Sequence, residues 1–137
     1  MSRMSSPSLR VDSWRTVPGL GTSTAYAPYS GFRVGAAIET ASGNVYQGAN
    51  VENASYGATV CAERVAVFGM IAAGDRGITR VAVYAEGPEL SMPCGMCRQV
   101  LVEHGPKAEV FVAGPSGSRS TTLLALLPEP FVFEGPR

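Results

Sequence analysis

The chain has 137 residues, 45 % of them apolar, and its 11 Lys and Arg residues are balanced by 11 Asp and Glu residues. This is the length of one ordinary domain and the composition of a globular protein, not of a disordered one. The formal net charge of zero argues against a dedicated polyanion binder, which normally carries a basic excess, so we expect no nucleic-acid partner.

The counts of histidine and cysteine restrict the chemistry further. The single histidine, His104, excludes metal sites that need two histidines, and three cysteines are an odd number, which disfavours a secreted disulfide framework. No apolar run of signal-peptide length follows the first residues, and the longest apolar stretch, 65–73, is far shorter than the ~20 residues of a membrane-spanning helix. We therefore expect a cytoplasmic protein with no membrane partner.

The hydrophobic pattern predicts one domain over residues 25–137, preceded by a poorly defined N-terminal tail at 1–24. Alternation from residue 32 predicts a strand, which a turn at 41–44 joins to a return strand at 45–51. The later predicted elements are a helix from 61 that stops at Gly74, a strand at 79–85, a helix at 94–104, a strand at 109–113 and a short helix at 122–127. This order, β-β-α-β-α-β-α, predicts helices packed on a sheet that is at least partly parallel.

All three cysteines fall at predicted helix starts. Cys61 opens the first helix, and Cys94 and Cys97 lie at the opening of the second. A helix N-terminus favours a thiolate, because its free N–H groups and dipole are positive. Three thiolates make a good zinc site, and three ligands leave the fourth position for a water molecule, which is the arrangement of a catalytic zinc.

Glu63 supports the catalytic interpretation, because it stands two residues after Cys61 in the same helical turn. A carboxylate beside a zinc-bound water can take its proton and deliver it to a substrate. Two alternatives remain open from spacing alone. The Cys94–Cys97 pair is also compatible with a redox or structural role, with Cys61 a separate buried thiol, and all three cysteines are compatible with inert packing.

Several motifs together resemble the small homotetrameric cytidine deaminases of pyrimidine salvage, over residues 25–131. The motifs are AYAPYSGF at 25–32, VGAA at 34–37, GANVENASYG at 48–57, CAER at 61–64, PCGMCRQV at 93–100 and LLP at 126–128. The Cys-Ala-Glu and Pro-Cys-x-x-Cys pair is typical of the wider zinc deaminase superfamily. The Asn-Val-Glu-Asn-Ala-Ser-Tyr block is what points to the nucleoside branch.

The resemblance implies an α/β fold, a single three-layer α-β-α domain with a mixed sheet of about five strands flanked by helices. It implies hydrolytic deamination of cytidine and 2′-deoxycytidine to uridine and 2′-deoxyuridine plus ammonia, by hydroxide generated at a three-cysteine zinc. One zinc ion per chain and a homotetramer with sites at subunit interfaces are implied with it.

The resemblance also implies residue roles. Glu63 is the proton shuttle, and Cys61, Cys94 and Cys97 are the zinc ligands. By position, Asn50 and Glu52 would bind the ribose hydroxyls, Phe32 would pack beside the pyrimidine ring, and Ala62 would contact the base through its backbone. Tyr56 and Phe131 would reach into a neighbouring subunit's site. Arg64 and Gln99 would support the zinc ligands. Arg64 has a physical reason as well, because zinc with three thiolates carries a net negative charge that an arginine offsets.

Purely structural roles remain as alternatives for some of these residues. Arg64 is compatible with a solvent-exposed helical arginine, Asn50 and Glu52 with a solvated strand end, and Phe32 and Phe131 with ordinary core packing. For the whole chain, alternatives are a deaminase of modified cytosine nucleosides of the blasticidin-S type, a polynucleotide deaminase, and a zinc-binding protein without catalytic activity. A single lysine disfavours the polynucleotide substrate.

Overall fold

The β-strands build one mixed sheet. The computed structural model describes the backbone of residues 3–4 and residues 22–134. Its strands are β1 (Arg3–Met4), β2 (Val34–Thr40), β3 (Val45–Ala49), β4 (Ile78–Ala85), β5 (Glu109–Gly114) and β6 (Gly117–Thr122), and its helices are α1 (Ala62–Ala72), α2 (Gly95–His104) and α3 (Leu123–Leu126). The sheet order is β1-β3-β2-β4-β5-β6.

Strand pairing confirms the mixed sheet. The β2–β3 hairpin is antiparallel and turns through Gly43, whose φ of 87° suits glycine. Strand β4 pairs antiparallel with β2 and parallel with β5, and the parallel connection runs through α2. Helix α1 ends at Ala72, and the predicted stop Gly74 has a φ of 81°.

Two strands differ from the predicted order. Strand β6, Gly117–Thr122, pairs antiparallel with β5, so a second strand stands before α3 where the pattern predicts none. Its sequence GSRSTT is polar and almost wholly exposed, because it lies at the sheet edge, and it therefore has no apolar period. Strand β1 pairs with β3 from within the predicted tail. Apart from residues 3–4 and 22–24, that tail lies outside the described residues, as do residues 135–137.

All three described helices pack on one face of the sheet. That face contributes Ile38, Val81 and Val110 to a core that also contains Val67 of α1 and Leu101 of α2. The opposite face carries a smaller cluster around Ala37, Val45 and Ala82. Within residues 22–134, the second helical layer of the predicted three-layer sandwich is not seen. None of the helices described is long and apolar enough to cross a bilayer.

Helix α1 lies directly against β3 because residue 48 is glycine. A Cβ at Gly48 would lie 2.5 Å from the backbone nitrogen of Ala66 and 2.6 Å from the carbonyl oxygen of Ala62. Any side chain there would push the helix away from the sheet. This close approach fixes the first turn of α1, which carries Glu63.

A carboxylate joins the loop after α1 to the β2–β3 hairpin. Asp75 accepts hydrogen bonds from the hydroxyls of Thr40, Ser42 and Tyr46 and from the amide of Asn44, at 2.9–3.1 Å. These bonds, with the Asn44 amide as the largest contribution, hold the pKa of Asp75 far below its ordinary value. The ionised carboxylate therefore stabilises this corner of the fold.

Candidate active site

The three cysteines meet at the N-termini of two helices. Cys61 is the N-cap of α1, Cys94 is the N-cap of α2, and Cys97 lies in the first turn of α2. Their sulfur atoms all lie within 4.8 Å of one another, and the Cys61 and Cys94 sulfurs are 3.9 Å apart. The structure thus brings Cys61 together with the Cys94–Cys97 pair, which neither the redox interpretation nor inert packing requires.

The sulfur cluster has an electrostatic partner in Arg64. Its Nη2 donates to the sulfur of Cys61 at 3.3 Å, and its Nε is buried without a hydrogen-bond partner among the described residues. The pKa of Cys61 falls to about 5, chiefly through a hydrogen bond with Cys97 and then through Arg64, while sharing that proton raises the pKa of Cys97. Arg64 is therefore not a solvent-exposed helical arginine.

This donor set fits zinc. Zinc–sulfur bonds of about 2.3 Å in tetrahedral geometry place two sulfurs roughly 3.8 Å apart, close to the separation of Cys61 and Cys94. Two helix N-termini and one guanidinium favour the thiolate forms that zinc requires. Within the described residues these cysteines form the one group of metal-ligating side chains, and they supply three ligands.

Glu63 is buried beside the cysteines. The residue is 5 % exposed, and burial raises the pKa of its carboxyl group, with the charge of Cys61 acting in the same direction. Glu63 lines a cavity of about 220 Å³ together with Cys61 and Cys94. A carboxyl group with a raised pKa, enclosed next to a metal-binding group, is suited to accept and return a proton.

Predicted substrate contacts line the same cavity. Phe32, Asn50 and Ala62 all line it. Phe32 is 38 % exposed, so it is not an ordinary core residue, and its ring lies over Gly87, where a Cβ would be 2.6 Å from Cε1 of Phe32. Thr59, Ser91 and Met92 also line the cavity without having been predicted. Ser91 and Met92 could have been suspected from their position, because they directly precede Pro93 and Cys94.

Asn50 and Glu52 hold the loop that carries Phe32. The Asn50 amide donates to the carbonyl oxygen of Phe32 at 2.9 Å and accepts from the Val34 N–H at 3.0 Å. At 8 % exposure, Asn50 is not a solvated strand end. One donor and one acceptor position of its amide remain for a ligand.

Glu52 binds the same loop at residues that precede Phe32. Its carboxylate accepts from the N–H groups of Tyr29 and Ser30 at 3.0 and 3.1 Å, and from the Ser30 hydroxyl, which is the main cause of its lowered pKa. Glu52 does not line the cavity of Glu63. It lines a neighbouring, more open cavity of about 360 Å³ with Tyr56, and Thr59 borders both cavities.

Phe131 and Tyr56 are exposed by 72 % and 81 %. Phe131 therefore does not pack in the core, and it does not line either cavity of its own chain. Gln99, predicted to support the zinc ligands, donates its amide to the carbonyl oxygen of Phe131 at 2.9 Å. The structure thus brings the cysteines, Glu63, Arg64, Phe32, Asn50 and Ala62 together, and it places Glu52, Tyr56, Phe131 and Gln99 further out.

Comparison with known proteins decides the family. Residues 20–113 match a family model described as the cytidine and deoxycytidylate deaminase zinc-binding region. The chain belongs to the cytidine deaminase family. It is 45 % identical over 112 residues to a cytidine deaminase of Halalkalibacterium halodurans, covering 80 % of this chain and 85 % of the relative. It is 41 % identical over 121 residues to a cytidine deaminase of Mycobacterium tuberculosis, covering 86 % and 89 %.

Solved cytidine deaminases share the fold. The crystal structure of cytidine deaminase from Burkholderia pseudomallei matches with a TM-score of 0.77 at 47 % identity, covering 80 % of this chain and 90 % of that one. The crystal structure of the M. tuberculosis enzyme matches with a TM-score of 0.70 at 41 % identity, covering 82 % and 89 %. The α/β fold expected for a cytidine deaminase is confirmed.

Proposed function

We propose that this protein hydrolyses cytidine and 2′-deoxycytidine to uridine and 2′-deoxyuridine, releasing ammonia. The observation that carries the proposal is the enclosure of Glu63, with its raised pKa, in one cavity with Cys61 and Cys94 of a three-sulfur cluster. The names of its relatives, all cytidine deaminases, support the choice of substrate.

In this proposal Cys61, Cys94 and Cys97 hold one zinc ion per chain. When bound, zinc supplies Lewis acidity and lowers the pKa of the attacking water. Three thiolates leave the site with a net negative charge, which opposes that effect. The guanidinium of Arg64, which donates to Cys61, withdraws part of this charge through a charge-assisted hydrogen bond.

Glu63 moves the protons. Its carboxylate accepts a proton from water as the oxygen bonds to C4 of cytosine, and it delivers that proton to N3. A second proton passes from the new hydroxyl group through Glu63 to the 4-amino group. The C4–N bond to the 4-amino group then breaks, and ammonia and the uracil nucleoside leave. Burial of Glu63 raises the pKa of its carboxyl group, which makes the carboxylate a stronger proton acceptor.

The cavity walls orient the nucleoside. Phe32 offers an aromatic face for the pyrimidine ring, and the backbone of Ala62 at the start of α1 offers hydrogen-bonding groups to the base. The free donor and acceptor positions of Asn50 and the Glu52 carboxylate bind the ribose 3′-hydroxyl, which cytidine and deoxycytidine share. Both residues also fix the loop that presents Phe32, so their binding role and their structural role reinforce each other.

The proposal includes a homotetramer with sites shared between subunits. Phe131 and Tyr56 are largely exposed, and the open cavity beside Glu52 has room for an aromatic side chain from a second copy. An exposed aromatic residue is a typical interface anchor. In this arrangement Phe131 of a neighbouring copy enters the open cavity beside Glu52 and closes it.

The cellular setting follows from the chemistry. The three cysteines are free thiols in the structure, and their ligand role requires a compartment that keeps thiols reduced. We therefore place the enzyme in the cytoplasm, where free nucleosides enter pyrimidine salvage. Zero net charge favours a free nucleoside over a nucleic-acid strand.

The test is a substrate comparison with measured zinc content. Purified protein with one zinc per chain is incubated with cytidine, deoxycytidine and blasticidin S, and released ammonia is followed by a coupled assay. We expect turnover of the first two and little of the third. Turnover of blasticidin S alone would identify the modified-nucleoside enzyme, and no turnover at full zinc content would identify a catalytically inactive zinc protein.

A further inference from the structure

Two adjacent residues of α2 hold chain segments that lie on either side of it. The Nε of Arg98 donates to the carbonyl oxygen of Pro93 at 2.7 Å, and its Nη1 donates to the carbonyl oxygen of Leu126 at 2.9 Å. The side-chain amide of Gln99 donates to the carbonyl oxygen of Phe131 at 2.9 Å. One guanidinium therefore bridges the turn before Cys94 and the end of α3.

At its first end Arg98 fixes the backbone that leads into Cys94. Pro93 is fully buried, so its carbonyl oxygen needs a donor from the protein. The backbone N–H of Arg98 donates to the next carbonyl oxygen, that of Cys94, at 2.9 Å. Arg98 thus binds the carbonyl oxygens of Pro93 and Cys94, which flank the nitrogen and Cα of Cys94. The position of the Cys94 sulfur depends on this stretch of backbone.

At its second end Arg98 caps α3. The carbonyl oxygen of Leu126 is the last of this helix, and the last carbonyls of a helix have no intrahelical donor. Residues 127–134, which we call the carboxyl-terminal segment, begin at this point and carry the exposed Phe131. Gln99 holds that segment at a second point.

We propose that Arg98 is a positioning residue that couples zinc binding to the placement of the carboxyl-terminal segment. This inference rests on the proposed function, because it takes Cys94 as a zinc ligand. A guanidinium is planar and its donors have a fixed geometry, so aligning one donor with Pro93 also sets the direction of the donor to Leu126. Zinc bound to Cys94 therefore favours the docked segment, and by reciprocity the docked segment favours zinc binding.

Two rates measure this coupling without reference to turnover. The first is the rate of zinc transfer from the zinc-loaded protein to a colorimetric chelator. The second is the rate of chymotrypsin cleavage after Phe131 and Phe133, followed by mass spectrometry in zinc-loaded and zinc-stripped protein. In the wild type we expect zinc removal to accelerate cleavage about tenfold, a magnitude typical of residues that support metal ligands.

Variants separate the two ends of the bridge. We expect Arg98→Ala to release zinc about tenfold faster and to be cleaved rapidly whether or not zinc is bound. Arg98→Lys should lie between it and the wild type in both rates, because one ammonium does not span two carbonyl groups. Gln99→Ala, which loosens the segment but leaves the Arg98 bridge in place, should raise cleavage and speed zinc release less than Arg98→Ala does. The matched control Arg119→Gln, which removes an exposed arginine from β6, should behave as wild type.

Two results for Arg98→Ala would overturn the coupling. One is zinc release at the wild-type rate, and the other is chymotrypsin cleavage that depends on zinc as strongly as in the wild type. If Arg98→Ala does not fold, Arg98→Lys carries the test, and wild-type values for its two rates would overturn it equally. If the variants give these wild-type rates while the wild-type protein deaminates cytidine, the coupling is contradicted and the proposed function is not. Zinc-loaded wild-type protein that shows the coupling but deaminates no nucleoside contradicts the proposed function alone.

Discussion

Arg64 donates a hydrogen bond from Nη2 to the sulfur of Cys61, three residues earlier at the start of α1, across 3.3 Å. Both residues belong to the same helical turn, so the local geometry of the helix places the positive charge on the sulfur. The buried Nε has no hydrogen-bond partner among the described residues, so the contact of Nη2 with Cys61 is the one that directs the guanidinium to the sulfur cluster.

Removing that charge should slow the reaction while leaving zinc in place. We predict that Arg64→Gln retains about one zinc per chain and loses about ten- to a hundredfold in kcat, because uncompensated thiolate charge disfavours ionisation of the attacking water. Steady-state kinetics with zinc analysis checks this, with Arg119→Gln as the control for loss of an exposed arginine. Wild-type kcat in Arg64→Gln would contradict the charge argument.

The ring of Phe32 lies where a side chain at residue 87 would be. We predict that Gly87→Ala displaces the ring and raises KM for cytidine about tenfold, with a smaller change in kcat, because a new Cβ would lie 2.6 Å from Cε1 of Phe32. Kinetics in a Phe32→Leu background provides the matched control. There the Gly87→Ala effect should shrink, and an undiminished effect would show that residue 87 acts without Phe32.

The Asp75 carboxylate makes stability depend on pH. Its folded-state pKa lies below the ~3.9 of an unfolded aspartate, so the ionised form stabilises the fold above that pH. This contribution is lost as the pH falls below about 4 toward the folded-state pKa. We predict that Asp75→Asn costs about 1–3 kcal/mol of unfolding free energy at pH 7 and clearly less at pH 3.

Urea denaturation of wild type and variant at both pH values measures this difference, and zinc loss in acid cancels because it affects both proteins. The exposed carboxylate of Glu103 supplies the control, and Glu103→Gln should leave stability nearly unchanged. An equal cost of Asp75→Asn at pH 3 and pH 7 would show that the carboxylate charge is not what stabilises this corner.

Sequence patterns predicted most of the sheet and helices, because those elements have a buried face. Strand β2 alternates apolar and polar side chains, strands β4 and β5 are short apolar runs, and the helices stop at glycine or proline. Strand β6 has no buried face, so its existence depends on backbone pairing with β5 that no side-chain period reveals. Each cysteine falls at a helix start, which is a local feature of the chain, but the meeting of Cys61 with Cys94, 33 residues later, was predicted from the chemistry of a three-thiolate zinc site and from the family resemblance.

Long-range hydrogen bonds were the part that sequence did not reveal. The resemblance placed Asn50 and Glu52 at the ribose, but their bonds to the Phe32 loop depend on tertiary contacts. Gln99 similarly reaches Phe131, 32 residues away in sequence. The ring of Phe32 over Gly87 is another such contact. Side chains of this kind have no fixed spacing that a motif can record.

Shared sites predict complementation between inactive subunits. We expect Phe131→Ala to lose about tenfold in kcat/KM and Glu63→Gln to be inactive, because each removes one part of a site built from two chains. Oligomers that contain both variants should exceed the mean activity of the parents, since some sites combine Glu63 of one chain with Phe131 of another. Mixing Glu63→Gln with Cys94→Ser is the control, because both changes damage the same chain's contribution. Activity no higher than the parental mean in the first mixture would contradict shared sites.

The role of Glu63 as the proton shuttle of a zinc deaminase can be tested with one variant. Glu63→Gln keeps the shape of the side chain and removes its basicity. The measurement is the cytidine deamination rate of wild type and Glu63→Gln at equal, measured zinc content. The predicted result is one zinc per chain in both proteins and a loss of at least about a thousandfold in kcat in the variant. A zinc-loaded Glu63→Gln protein that deaminates cytidine at the wild-type rate would contradict the account.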